Sequence, residues 1–272
     1  MGHVHLEALK NLPIRDSEAK EAQTDCKVCI KSKLKKSLFP DRSERTENVL
    51  ARIHSDLMGP ISPNSMSGAK YIATFIDNHT NFVVAVPIKS KSDTMGEFVK
   101  FQKRVENLHN NNIKELQSDN GGEYLSGGFI KYLENEGISH RLTVPGNPQQ
   151  NGKAERMNQT LTAVVRSLLI QSGMPQTFWA EALSTACFLR NLSPSSAIKR
   201  QIPLELWLGK KLTEKDFNRL KVFGCQAWAA LVPKNKLSPR AELCMVGQFS
   251  RQTVSSITKF NSVSVGKVCC CV

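Results

Sequence analysis

A chain of 272 residues with 40% apolar side chains can bury a real core, which excludes an overall disordered protein and suits one medium domain plus one or two small ones. The net charge of +13 points to a polyanionic partner. That charge is uneven: residues 51–150 carry 10 basic and 10 acidic side chains, whereas residues 199–272 carry 13 basic against 4 acidic. A near-neutral body followed by a basic part suits a catalytic core with an appendage that grips nucleic acid. Residues 1–15 lack the continuous apolar stretch of a secretory signal, residues 82–88 are too short to span a bilayer, and Arg166 interrupts the apolar run at 161–170. The expectation is a soluble intracellular protein with no membrane partner. The cysteines form one Cys-x-x-Cys pair, scattered single residues and a terminal run, not a disulfide framework.

In chain order, residues 1–40 hold a helix-like HLEALKNL and then Cys26-x-x-Cys29, and the polar stretch 41–48 reads as a linker. ARIHSDL, KYIATFID and NFVVAVPI follow, separated by turn-forming clusters, and predict an antiparallel meander of three strands. Phe98, Phe101, Val105 and Leu108 recur at helical spacing and predict a helix over roughly 92–109. Residues 113–119 predict a fourth strand, 128–137 a short helix and 138–144 a fifth strand. Helices over 151–171 and 176–191 follow, then two strands within 220–232, and no regular plan from residue 250 onward. Three strands, then helix, strand, helix, strand, helix is the order of the ribonuclease-H-like fold. The fold class is therefore α/β (α+β), with a mixed five-stranded sheet flanked by helices.

Three acids stand out within this frame. Asp56 closes an apolar strand that Gly59-Pro60 ends, and a carboxylate there needs a compensating cation or donors. Asp119 lies in SDNGGEY, where Gly121 and Gly122 let the backbone leave the strand sharply. Glu155 lies one turn into the helix at 151–171. In that helix Met157, Leu161, Val164, Val165 and Leu168 form an apolar stripe, while Glu155, Gln159, Thr162 and Arg166 share a polar face. Taken singly, each acid also reads as a surface charge, a turn residue or a first-turn acid. Brought together, three carboxylates hold two divalent ions that clamp the attacking and leaving oxygens of a phosphodiester. The polar segment at 145–156 supplies Gln149, Gln150, Asn151, Lys153 and Arg156 as candidate DNA contacts, joined along the helix by Gln159 and Arg166. A plain loop and solvated helix charges are the alternatives.

HSDLMGPI, TFIDNHTNFV, LQSDNGGEYLS, GISHRLTVPGNPQQNGKAERMNQTL and FWAEALSTACFLRNLSP resemble the integrase of copia-type LTR retrotransposons, continuously from about residue 48 to 200. The resemblance implies a catalytic core whose metal-binding triad falls on Asp56, Asp119 and Glu155, with two Mg²⁺ or Mn²⁺ ions. It implies trimming of DNA 3′ ends and their transfer into target DNA. Element ends and target DNA are the implied partners, in a homo-multimer acting in the nucleus after cytoplasmic synthesis. It also matches His3, Cys26 and Cys29 to part of a His-His-Cys-Cys zinc module, which makes residues 1–40 a truncated zinc-binding segment and zinc a further cofactor. The division that follows is a linker at 41–48, a core at 49–200, a partial small β module at 201–249 and an irregular tail at 250–272. In the module, Lys234, Lys236 and Arg240 offer a grip on phosphate, with a solvated loop as the alternative reading. Two functions remain open: an integrase, or a catalytically inactive nucleic-acid-binding remnant of a Pol polyprotein.

Overall fold

The computed structural model describes residues 45–143, 152–217, 222–230, 235, 237, 240–245 and 268–271. The expected zinc ligands His3, Cys26 and Cys29 lie outside the described residues, as do Gln149, Gln150, Asn151, Lys234 and Lys236. What is described belongs to one compact unit, Arg45–Val272.

The predicted meander is present as β1 (Ile53–Met58), β2 (Tyr71–Asp77) and β3 (Val83–Ile88), paired antiparallel in sequence order. β4 (Glu115–Ser118) and β5 (Ser139–Leu142) then add parallel to β1, which completes the mixed sheet in the order β3-β2-β1-β4-β5. Alternation along β1 sorts its side chains. Ile53 and Leu57 join one apolar cluster, and Met58 joins the other across the sheet.

The first cluster is aromatic. Helix α1 (Thr94–His109) is led in by a 3-10 turn that Ser90 and Asp93 cap reciprocally, and it ends at the left-handed Asn110. It buries Phe98, Phe101 and Val105, while α2 (Gly127–Asn135) buries Phe129 and Leu133. Phe75 of β2 stacks on Phe101 at 4.9 Å, and Phe98 meets Phe129 edge-on at 5.5 Å. The second cluster, on the opposite face, is mostly aliphatic, with Trp179 as its one buried aromatic among the described residues. Helix α3 (Gly152–Ser172) sets Ala154, Met157 and Leu161 against the sheet, and α4 (Trp179–Leu192) adds Ala180, Leu183 and Ala186. Gly173, in the left-handed region at φ 65°, ends α3 as the sequence implied.

The core runs past the expected boundary at residue 200. Helix α5 (Pro203–Leu208) starts on Pro203, the position where a missing N–H costs nothing, and buries Leu204 and Trp207 in the aromatic cluster. The Trp207 ring stacks on Phe82 at 4.5 Å and meets His109 edge-on at 4.3 Å. The first stretch assigned to the β module is therefore a strap on the core. After α6 (Glu214–Phe217), a second sheet has the order β7-β6-β8, built from β6 (Gln226–Ala230), β7 (Ala241–Met245) and β8 (Val268–Cys271). Where two strands were expected over 220–232, the described residues form one, because 222–225 make a turn through Gly224. The tail expected to be irregular supplies β8. Gly224, at φ +78°, approaches the end of α3 so closely that a Cβ there would collide with Ser172.

Candidate active site

Asp56 and Thr74 are partners across the β1–β2 pair, and both side chains turn to the α3 face. Asn158 of α3 bridges them. Its Nδ2 donates to Asp56 Oδ2 at 2.7 Å, and its Oδ1 accepts from Thr74 Oγ1 at 2.7 Å. One carboxylate oxygen of Asp56 is thereby held in a fixed orientation by a side chain that is itself held.

Asp119 follows β4 directly. Its Oδ1 accepts from the Gly121 N–H at 3.0 Å, and Asn120 Nδ2 donates to the Thr143 carbonyl at 2.9 Å, tying the loop to the end of β5. The backbone leaves the strand sharply, as expected: it bends at Asn120 and turns through 122–124, with the Tyr124 N–H donating to the Gly121 carbonyl at 3.0 Å. Gly121 does this without a left-handed backbone, and a Cβ there would stand 2.7 Å from a Glu123 carboxylate oxygen, whose side chain would have to move aside. Tyr124, in the same motif, is fully buried, and its hydroxyl meets Ser55 Oγ at 2.6 Å. The Asp119 loop is thus anchored on β1 at the residue next to Asp56.

Glu155 is exposed in the first turn of α3. It lines one cavity of about 660 Å³ together with Asp56, Leu57, Met58, Gly59, Asn158, Gln159, Thr162, Ala163 and Arg166. The expected polar face of the helix is therefore its cavity wall. Gly59 is required at the strand end: its φ is +134°, and a Cβ would meet the Lys70 carbonyl at 2.7 Å.

The electrostatics join all three acids. The Asp56 carboxyl is raised from 3.8 to about 6, by burial first and then by the negative charges of Asp119 and Glu155, against the opposing Asn158 and Leu57 hydrogen bonds. Among the described residues, no three His, Cys, Asp or Glu side chains gather tightly enough to enclose one ion. The donor set nevertheless suits a hard divalent cation. Mg²⁺ is usually bound by one or two carboxylates, with water and phosphate completing its shell. A cation beside Asp56 also relieves the repulsion that raises its pKa.

The remaining candidates divide. Arg156, Gln159 and Arg166 are exposed on α3, and the latter two border the cavity beyond Glu155. Lys153, expected as a DNA contact, turns inward: its Nζ donates to the Asn78 carbonyl at 3.1 Å and to Asn78 Oδ1 at 2.8 Å. Burial pushes its pKa down to about 7 against the pull of Asp77. The first turn of α3 lies over the β2–β3 turn, so a side chain at this position meets buried carbonyls before it meets solvent. Asn158 was missed, although a signal existed. Ala154, Met157, Asn158 and Leu161 hold the buried i, i+3, i+4, i+7 positions, and Asn158 is the polar intruder among them.

A family model described as the integrase core domain matches residues 47–148. The chain is 41% identical over 239 residues to the retrovirus-related Pol polyprotein from transposon TNT 1-94 of Nicotiana tabacum, covering 87% of this chain and 18% of that protein. It is 32% identical over 222 residues to the Pol polyprotein from transposon RE2 of Arabidopsis thaliana, covering 80% of this chain and 15% of that one. The chain thus spans less than a fifth of the curated relatives it matches. In fold it is similar to a chain of the simian T-cell lymphotropic virus intasome bound to PP2A regulatory subunit B56 gamma. That match has a TM-score of 0.60 at 17% identity and covers 88% of this chain and 84% of that one. The sheet order is that of an RNase-H-like fold, and the family model marks an integrase core domain within it. The chain belongs to the integrases of copia-type retrotransposon Pol polyproteins.

Proposed function

We propose that this core catalyses divalent-metal-dependent DNA 3′-end processing and strand transfer, with Asp56, Asp119 and Glu155 as its catalytic carboxylates. The observation that carries the reading is the convergence of Asp119 and Glu155 charge on the half-buried Asp56 at the mouth of the cavity. Asp56 and Asp119, with Glu155 across the opening, are the residues that would hold Mg²⁺ or Mn²⁺, two ions in all. When bound, the ions activate the attacking oxygen and neutralise charge developing at phosphorus.

The chain's own residues prepare that site. Asn158 fixes one oxygen of Asp56, the Gly121 N–H fixes one of Asp119, and Glu155 stays exposed to adjust to its ligand. Gln159 and Arg166 extend the wall beyond the acids and offer one neutral and one cationic donor to a phosphate backbone. Leu57, Met58 and Gly59 form the less polar wall, against which a sugar or base edge packs and displaces water. Element ends and target DNA are the substrates, and the acting species is a homo-multimer that holds two ends together.

A labelled duplex with a recessed 3′ end, incubated with supercoiled plasmid and Mn²⁺ or Mg²⁺, tests this directly. Joined products are expected with the unaltered chain and none with Asp56→Asn, Asp119→Asn or Glu155→Gln. Joining by any of the three variants overturns the assignment.

A further inference from the structure

We propose that Lys153 is a positioning residue, a latch that clamps the first turn of the catalytic helix onto the β2–β3 turn and so sets the height of Glu155 above Asp56. The inference rests on the reading of Glu155 given above.

The first turn of a helix has no intrahelical partner for its N–H groups and is where helices fray. α3 begins at Gly152, so Glu155 lies within that turn. Two tethers flank it. Downstream, Asn158 reaches Asp56. Upstream, Lys153 makes both of its recorded hydrogen bonds to Asn78, one to the carbonyl and one to Oδ1. Asn78 is buried, and its N–H donates to the Arg52 carbonyl at 2.9 Å. The preceding residue, Asp77, accepts from Leu50 N, Thr80 N and Thr80 Oγ1, which makes the turn a stiff anchor.

The same Asn78 Oδ1 lies 3.1 Å from His54 Nε2. An amide oxygen only accepts, so this nitrogen carries the proton. Among the described residues, the buried His54 Nδ1 has no hydrogen-bond partner, as befits the bare nitrogen of a neutral ring. His54 precedes Asp56 by two residues on one face of β1, and Lys153 precedes Glu155 by two residues on α3. Asn78 therefore joins the strand carrying one acid to the helix carrying another, one step upstream of both. Two attachment points fix a helical turn where one leaves it free to pivot, and a misplacement of about 1 Å at a reacting centre costs on the order of 10²-fold in rate.

The test uses the full chain with Lys153→Met, which keeps the stem and removes the donors, and Lys153→Arg as the milder variant. Nicking of supercoiled plasmid in Mn²⁺ gives kcat and KM, and hydrogen exchange reports the first turn without reference to activity. The latch predicts that Lys153→Met exchanges faster at residues 154–157 while the amides of α4 stay protected. It predicts kcat lower by ~10-fold or more with KM for DNA within about twofold, and a smaller loss for Lys153→Arg. It further predicts that Asn78→Ala mimics the defect and adds little to Lys153→Met. A raised KM with the log–log salt slope reduced by about one identifies a phosphate contact and overturns the latch. Unchanged exchange at 154–157 overturns it whatever happens to activity. Faster exchange in Lys153→Met with full nicking by Glu155→Gln leaves the clamp standing and removes the catalytic reading of Glu155 instead.

Discussion

The two faces of the central sheet are built to opposite ends. Under α1 and α2 the contacts are aromatic and closed: Phe75, Phe98, Phe101, Phe129 and Tyr124 interlock, and Trp207 of α5 is packed into the same cluster. Under α3 the apolar residues are mostly aliphatic, and the polar trio Asp56, Thr74 and Asn158 joins the helix to the sheet. One face supplies stability through area. The other gives up some of that area so that a carboxylate can open into a cavity, and its cost appears in the raised pKa of Asp56. A sheet of this kind needs the first face in order to tolerate the second.

The sharpest break in the comparison is Asp119→Asn. It should lower strand transfer by more than ~10²-fold, the most that even a metal site's outer partners cost. It should leave the melting temperature of the metal-free protein unchanged or higher, because a charge repelling Asp56 is gone. Strand-transfer assays paired with calorimetry measure both. On the aromatic face, Phe129→Ala should cost about 3–5 kcal/mol by denaturant unfolding and lower activity only as folded protein is lost. On the α3 face, Asn158→Leu tests stability and chemistry together. It should cost about 1–3 kcal/mol, because Thr74 and Asp56 lose a buried partner, and it should also reduce turnover per folded molecule.

A gentler probe is pH. The folded Asp56 carboxyl titrates near 6, above its ordinary 3.8. Its protonated form is therefore the one that folding favours. The associated stability is fully present below pH ~4 and is lost as pH rises through about 6. A divalent cation binds the ionised form and offsets that loss, so Mg²⁺ should raise the melting temperature more at pH 7 than at pH 5. Equal shifts would separate the bound ion from Asp56. The smallest effect is expected far from either core. Lys100→Ala removes an exposed bridge to Glu97 and should change stability by less than ~0.5 kcal/mol.

The meander, the helix stripes and the element order were legible because each rests on local periodicity, 2 for strands and about 3.6 for helices. Asp56 and Asp119 were legible as candidates because each closes an apolar strand-like stretch, and Glu155 because it lies on the polar face of an amphipathic helix. The reading failed where direction depends on distant chain. Lys153 sits in a polar motif that suggests solvent, yet Asn78 draws it inward. Trp207 follows a proline beyond the last long helix and reads as a new module, but its slot is formed by Phe82 and His109.

The parallel pairing of β1 with β4, Ile53 opposite Leu116, also bears on how the protein matures. Hairpins such as β1–β2 close early because their loops are short, whereas a pair so distant in sequence must first overcome the entropy of a long loop. Asp56 sits on β1 and Asp119 directly after β4, so the two acids meet only once this sequence-distant pairing is made. A chain in which β1 and β4 have not paired carries both acids and yet keeps them apart. Topology thus makes the cluster of acids a property of the finished fold, absent from any of its local pieces.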